Sequence, residues 1–258
     1  MSFSENGQKY RAPALEKGLD IVELLARTAT PLTLTQICTA LGRSQSELFR
    51  MAQVLEHRGL IAPSPNGDGF ILTNRLFELG MAKAPIRSLV EAAIPSMRGF
   101  SDEMHQSAHL VVRSGSQMVV VARTESPGDL GFSVRVGRHQ PIIGSNSGVV
   151  LFAFAHSDER EQILQLIGKP KRDGRLATFQ RQADEARRSG IHSSESDVVR
   201  GVTDVSAPVF DPNGVAAALT TPFVHLSAAT VTLDEAAKRL AHYATAISHE
   251  LGGAPVQA

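Results

Sequence analysis

The chain has 258 residues, 42% of them hydrophobic and 20% charged, which is long enough for two domains with separate cores and too apolar for a disordered chain. Formal net charge is zero, and residues 1–80 alone balance eight Lys/Arg against eight Asp/Glu. Bulk charge therefore gives no sign of a nucleic-acid partner, and any DNA-binding face must gather its positive residues locally.

The first periodic stretch, PALEKGLDIVELLAR, opens at Pro13, repeats Leu15, Leu19, Val22 and Leu25 at helical spacing, and closes over Thr28 to Pro31. In LTLTQICTALG, Thr35 is placed to cap a short helix that turns Ile37 and Leu41 inward, and Gly42 supplies the break. A third helix starts at Ser44, with Glu47 three residues on as a capping box, and lines Leu48, Met51 and Leu55 along one face. Two short helices joined by a glycine turn form a helix-turn-helix signature. Beyond Gly59, the runs LIA and FILT flank the turn-rich PSPNGDG and read as a β-hairpin, the wing of a winged helix.

Residues 75–105 read as two helices, RLFELGMAKA and IRSLVEAAIPSMRGFSDEM, interrupted at Pro85. Leu76, Leu79, Leu89, Val90, Ile94 and Met97 recur at helical spacing, so this stretch can pack on a partner subunit. Alternation then predicts strands in AHLVVRSG and QMVVVART, joined at Ser114 to Ser116, and in FSVRVG after the SPGDLG loop. LATFQRQADEARRSG reads as an amphipathic helix, VTDVSAPVFD and VAAALTTPFV as strands paired around PNG, and LDEAAKRLAHYATAISHEL as a closing helix. This mixture predicts an α+β second domain.

Taken in order, PALEKGLDIVELLA, PLTLTQICTALGRSQSELFRMAQVLEHRGL, FILTNRLFELG, VEAAIPSMRGFSDEM, VVVARTESPG, RVGRHQP and GIHSSESDVVRGVTDVSAPVFDPNG make the chain resemble the IclR family of bacterial transcriptional regulators over nearly its full length. The resemblance implies a winged helix-turn-helix at residues 10–75, a helical linker at 76–104 and, at 105–252, a GAF/PAS-like effector-binding domain with an antiparallel sheet. It also implies a repressor or activator that works as a homodimer or dimer of dimers on double-stranded operator DNA. Family habit suggests control of a catabolic operon by an aromatic or organic acid.

The N-terminal part of the second helix of a helix-turn-helix reaches base edges in the major groove, which selects Arg43, Ser44, Gln45, Ser46, Glu47 and Arg50. Gln45 suits an adenine edge and Arg50 a guanine edge or a phosphate, while Ser44 is committed to capping. Glu47 either holds the cap or accepts from a cytosine amine. It stands where relatives usually carry a small hydroxyl residue. Lys9 and Arg11 form a short basic arm that either enters the minor groove or is simply solvated.

For the effector, PIIGSNSGVVLFAF leads small polar residues into an apolar helix. The N–H groups there, at Ser145, Asn146, Ser147 and Gly148, suit a carboxylate, although an ordinary capped helix has the same pattern. Relatives often carry a His-Ala-(Ser/Thr)-x-x-Gly-Lys pattern at this place. The present Ile143 to Val149 lacks both the histidine and the lysine, so a different ligand, larger or more apolar, is expected. A second pocket segment resembles the family's at Gly190 to Glu195. Asp204 falls where relatives have cysteine or another small residue, so Glu195 and Asp204 join the candidate effector residues. A buried Asp204 requires a partner, either a ligand hydroxyl or amine or a nearby arginine. Arg113, Arg123, Arg135 and Arg138 can balance a ligand's charge only if they point inward, which alternation leaves open.

Cys38 cannot form an intrachain disulfide and is read as a small core residue. His105 and His109 flank a helix-to-strand boundary without a carboxylate or thiolate cluster, so neither a metal nor another cofactor is expected. The alternatives to a regulator are a small-molecule-binding enzyme and a winged-helix protein-interaction module. No nucleophile elbow, phosphate loop or dinucleotide fingerprint supports the first. The N-terminus lacks a signal pattern and no run reaches the roughly 18 apolar residues of a membrane span. The expected location is cytoplasmic, with no membrane partner. The stretch GKPKRDGR at 168–175 is read as a solvated loop without a role.

Overall fold

A computed structural model describes residues 12–81, 84–128, 131–168, 174–196, 198–225 and 231–253. Lys9, Arg11 and most of the 168–175 loop lie outside these. The chain divides into two compact units between residues 84 and 85.

In the first unit, α1 (Pro13–Arg27) has proline in its first turn, where the missing N–H costs nothing. The helix α2 (Leu34–Leu41) is capped by Thr33 rather than Thr35. Thr33 Oγ1 accepts from the Gln36 N–H at 3.3 Å while Gln36 Oε1 accepts from the Thr33 N–H at 2.8 Å. Only the threonine three residues before the glutamine can close that reciprocal box, whereas Thr35 already lies inside the first turn. Gly42, at φ 62°, then turns the chain, a left-handed backbone that favours glycine. It leads into α3 (Gln45–His57). The hairpin of β1 (Ile61–Pro63) and β2 (Phe70–Leu72) follows, and Leu32 bridges to Phe70 beside it. Ile21, Val22, Leu25, Ile37, Leu48, Ala52, Leu55 and Ile61 form the core, and Cys38 is one of its small buried members. Leu15 and Leu19 belong to the same sequence stripe but stay exposed within this unit, at 63% and 52%. A short α4 (Arg75–Met81) leaves Leu76 and Leu79 exposed.

The second unit holds α5 (Ala84–Met104) from its second residue onward and then builds a six-stranded antiparallel sheet in the order β5-β4-β3-β8-β7-β6. Its strands are β3 (Ala108–Ser114), β4 (Gln117–Thr124), β5 (His139–Pro141), β6 (His192–Glu195), β7 (Val202–Asp211) and β8 (Gly214–Val224). Three helices, α6 (Asn146–Ala153), α7 (Ser157–Ile167) and α8 (Arg175–Ser189), lie in the chain between β5 and β6, and α9 (Leu233–Glu250) follows β8.

Both faces of this sheet are covered. On one, Leu110, Ala122, Val205, Ala207, Leu219 and Phe223 pack with Leu89, Met97 and Phe100 of α5 and Leu240 of α9. On the other, Val111, Met118, Val120 and Ala218 pack with Val150 of α6, Ile163 of α7 and Phe179 of α8. A bulge separates the two sets within β4: Leu110 pairs with Ala122 but Val111 pairs with Val120, so Val121 is extra. One added residue inverts the alternation, and Met118 and Val120 therefore face the opposite side from Ala122 despite their even spacing.

Three sequence expectations change. Leu89 and Met97 are buried in the core of their own unit, and Val90 and Ile94 pack against it, so they are not a surface left over for a partner. The amphipathic stripe looked unclaimed because the strands that cover it come later in the chain. FSVRVG is not a strand; residues 131–138 are irregular, and the edge strand starts only at His139. Helix α7 and strand β6 are elements that the sequence reading did not identify. Among the described residues, no helix is long and apolar enough to cross a membrane.

Phe100 is fully buried between α5, the sheet and α9, and meets Tyr243 edge to face. Phe100→Ala is expected to lower unfolding stability by about 3–5 kcal/mol, read as a shift in the denaturation midpoint of the full chain.

Candidate functional site

Two surfaces carry the chemistry, one in each unit. On α3, Ser44 and Glu47 close the expected cap: Glu47 Oε2 accepts from the Ser44 N–H at 3.1 Å and from its hydroxyl at 2.9 Å. Glu47 Oε1 also takes a hydrogen bond from Lys17 Nζ of α1 at 2.8 Å. The Lys17 contact first, and then the Ser44 N–H and hydroxyl, hold the Glu47 carboxyl down at about 2. Arg43 is likewise tied to α1, through Asp20 at 3.2 Å. Arg43 and Glu47 are thus engaged within the protein and fix the start of α3 against α1. Gln45, Ser46 and Arg50 are exposed. Phe49, 48% exposed, and Gln53 extend that face by one helical turn, positions that sequence reasoning passed over although i, i+3, i+4 and i+7 spacing from Ser46 marks them.

In the second unit, a cavity of about 530 Å3 lies on the α6 side of the sheet. It runs from Arg138, just before β5, and Gln140 of β5, past Met118 and Val120 of β4, His109 of β3 and Thr220 of β8, to Asp204 of β7 and Ser194 and Glu195 of β6. The irregular segment 132–138 supplies one wall, so the residues expected as a strand instead contribute Phe132, Val134 and Arg135 to the lining. The volume falls within the usual range for small-molecule sites.

The expected effector residues occupy different places around it. Ser145, Asn146 and Ser147 line the cavity, as do Glu195 and Asp204, although the two groups lie some fifty residues apart in sequence. The Ser145 hydroxyl is fully used as the α6 cap, donating to the Ile142 carbonyl at 3.2 Å and accepting from the Gly148 N–H at 3.1 Å. Asn146 spends its Nδ2 on Ser194 Oγ at 3.0 Å and the Asp204 carbonyl at 2.8 Å, which ties the start of α6 to β6 and β7. Its Oδ1 is buried without a hydrogen bond. Gly148 stands behind the lining. A Cβ there would lie 2.1 Å from the Ile142 carbonyl oxygen, so glycine is required for the close approach that closes the turn.

Of the four arginines, Arg135 and Arg138 line the cavity. Arg113 pairs with Glu159 at 2.7 Å and Arg123 with Glu125 at 2.8 Å, and neither belongs to the lining. Gln140, with its amide oxygen turned to Arg138, accepts from Arg138 Nε at 3.2 Å.

Sequence reasoning weighed His109 only as a metal ligand, and the structure places it in the cavity lining instead. It is 6% exposed on the floor of the cavity, and its Nδ1 has no hydrogen-bond partner. Burial first, and the charge of Arg138 second, push its pKa down to about 4, so the ring is neutral at physiological pH. Alternation marked its place on a strand, but only the sheet order reveals that a cavity faces it. Among the described residues, no group of three or more His, Cys, Asp or Glu gathers at metal-binding distance.

The model for the bacterial transcriptional regulator IclR C-terminal domain matches residues 83–249, and that for the IclR helix-turn-helix domain matches residues 14–65. The chain belongs to the IclR family. It is 27% identical to the HTH-type transcriptional regulator KdgR of Escherichia coli K12 over 224 residues, 85% of each chain. It is 23% identical to the HTH-type transcriptional repressor AllR of Klebsiella pneumoniae, covering 79% of this chain and 76% of AllR. Among solved structures, an IclR homolog of Microbacterium hydrocarbonoxydans complexed with 4-hydroxybenzoate superposes with a TM-score of 0.75 at 21% identity, over 93% of this chain and 99% of that one. Pseudomonas aeruginosa HmgR superposes at 0.68 and 25% identity, over 94% and 100%. As an IclR-family regulator the protein combines a DNA-binding helix-turn-helix with an effector-binding domain.

Two outcomes are expected. Gly148→Ala should destabilise the second unit by about 1–3 kcal/mol, because the turn must open to admit the methyl group; chemical denaturation measures this. The folded His109 titrates near 4, below the unfolded value of about 6.5. The unfolded state therefore binds the proton more readily, and stability should fall as pH drops from about 6.5 towards 4. His109→Gln should remove up to one proton's worth of that slope, and NMR of the ring should show no charging above about pH 5.

Proposed function

We propose that the protein is a sequence-specific transcriptional repressor whose affinity for its operator is controlled by a small organic or aromatic acid, and that it regulates a catabolic operon from the cytoplasm. The observation that carries this reading is the pairing of an exposed, polar recognition-helix face with a cavity of small-molecule size in a separate unit. The repressor name of AllR and the 4-hydroxybenzoate bound by the Microbacterium homolog support the sign and the ligand class.

In this reading Gln45, Ser46 and Arg50 read bases or phosphates, and Phe49 adds an apolar contact suited to a thymine methyl. Arg43, Ser44 and Glu47 belong to the DNA-binding segment by setting the pose of α3 on α1. The effector is held by the lining that Ser145, Asn146, Ser147, Glu195 and Asp204 share, with Gly148 shaping the turn. A homodimer or dimer of dimers presents two α3 helices to successive major grooves, which accept them only near one helical turn, about 34 Å apart. Ligand binding that biases the spacing therefore changes operator affinity, with a coupling of about 1–3 kcal/mol.

Fluorescence anisotropy of the full chain on DNA from upstream of its own gene tests this at about 50 and 200 mM salt, with and without a panel of acids. The expected result is a specific complex that weakens steeply with salt and shifts with at least one acid. Arg50→Ala and Gln45→Ala should each cost about 1–3 kcal/mol of operator affinity without changing thermal stability. Absence of specific binding under every condition would instead favour a protein-interaction module.

A further inference from the structure

The cavity is not electrostatically uniform. Arg138 lies on the β5 side, close enough to His109 for its charge to act on the ring. On the other side, Asn146 Oδ1 is an acceptor without a donor, and Glu195 and the Asp204 side chain share that wall. His109 stands on β3 and Asp204 on β7, two strand spacings apart with β8 between them, which is roughly 10 Å in a sheet.

Each end therefore selects a different group. At the β6–β7 end a ligand carboxylate would meet the carboxyl groups of Glu195 and Asp204, while the Asn146 amide nitrogen is committed to Ser194 and the Asp204 carbonyl and the Ser145 hydroxyl to the helix cap, so that only the weaker serine hydroxyls of Ser147, Ser194 and Ser196 are left to donate. A hydroxyl or amine satisfies Asn146 Oδ1 by donating to it. At the β3–β5 end, a carboxylate accepts from the Arg138 guanidinium and from a His109 ring N–H, satisfying the buried nitrogen that the protein leaves unpaired.

Resting on the effector-site reading above, we propose that the ligand is a hydroxylated carboxylic acid held in one orientation, with its carboxylate at Arg138 and His109 and its hydroxyl at Asn146. This orientation is opposite to one in which the start of α6 takes the carboxylate. The apolar side chains of Met118, Val120 and Val134 between the two ends suit a hydrocarbon body, aromatic or aliphatic.

Calorimetric titration of the full chain, without DNA, tests the proposal with two matched sets: 4-hydroxybenzoate, benzoate and phenol, and 6-hydroxyhexanoate, hexanoate and hexanol. In at least one set the hydroxy acid should bind about tenfold or more tightly than either single-group partner. Arg138→Gln and His109→Phe should weaken the hydroxy acid and the plain acid alike while sparing the alcohol or phenol. Asn146→Leu should weaken the hydroxy acid down to the level of the plain acid. Circular dichroism and the denaturation midpoint identify any variant that is misfolded, and His109→Gln and Asn146→Ser replace it. The proposal is overturned if plain acids bind as tightly as hydroxy acids, if Asn146 variants lower carboxylate affinity more than Arg138 variants do, or if neither hydroxy acid binds. Operator binding by the ligand-free protein is measured separately and decides the DNA-binding reading whichever way the titration falls.

Discussion

A six-stranded antiparallel sheet covered on both faces has no solvated side to which its polar residues can be turned. Every hydroxyl, ring nitrogen or carboxylate on these strands must find a partner inside the protein or be left for something that enters it. The second unit solves this by segregation. The face packed on α5 and α9 is almost wholly aliphatic and aromatic, and the face packed on α6 and α8 carries His109, Ser206, Thr220 and Asp204. Ser206 and Thr220 satisfy one another at 2.8 Å, whereas His109 Nδ1 is left over, on a ring that lines the cavity. The extra residue at Val121 is part of the same solution, because without it Met118 and Val120 would be directed at α5 instead of at the ligand space.

The start of α6 performs two tasks that compete for the same atoms. Its turn is closed by Ser145 and by the close approach that Gly148 permits, and it is anchored to β6 and β7 by the Asn146 amide. Those bonds stabilise the helix and fix the cavity wall, but they consume the Ser145 and Asn146 donors that an anion would use there. Asn146 Oδ1 is the acceptor that the clamp leaves over, buried in the wall that Glu195 and Asp204 share. A ligand's polarity is thus set indirectly, by which atoms the fold has already used.

In the first unit, stability and recognition are divided along one short helix. The inward residues Leu48, Ala52 and Leu55 join the core, Arg43 and Glu47 bind α1, and Gln45, Ser46, Phe49 and Arg50 are exposed. The charged pairs to α1 are partly exposed and contribute little to folding, as is usual at a surface. Their consequence is geometric, since they hold the pose in which the exposed face is presented.

Much of the molecule was legible because short-range interactions decide it. A cap joins residues three apart, a helical face repeats every three or four, and a glycine is required where the backbone turns left-handed. The helix-turn-helix, the hairpin after Gly59, the long strands and α9 therefore follow from local sequence alone, as does the clustering of small polar residues before α6. Thr33 was equally legible through Gln36, three residues on, but a second threonine two positions later presents the same hydroxyl. What only the tertiary structure decided depends on residues far apart in sequence. Alternation in FSVRVG cannot distinguish a pleated strand from a segment lining a cavity, and a stripe such as Leu89 to Met97 looks unclaimed until the strands that cover it are in place. The bringing together of Asn146 with Asp204, the bulge that reorients Met118, and the unpaired nitrogen of His109 all arise from long-range strand order, which no spacing along the chain encodes.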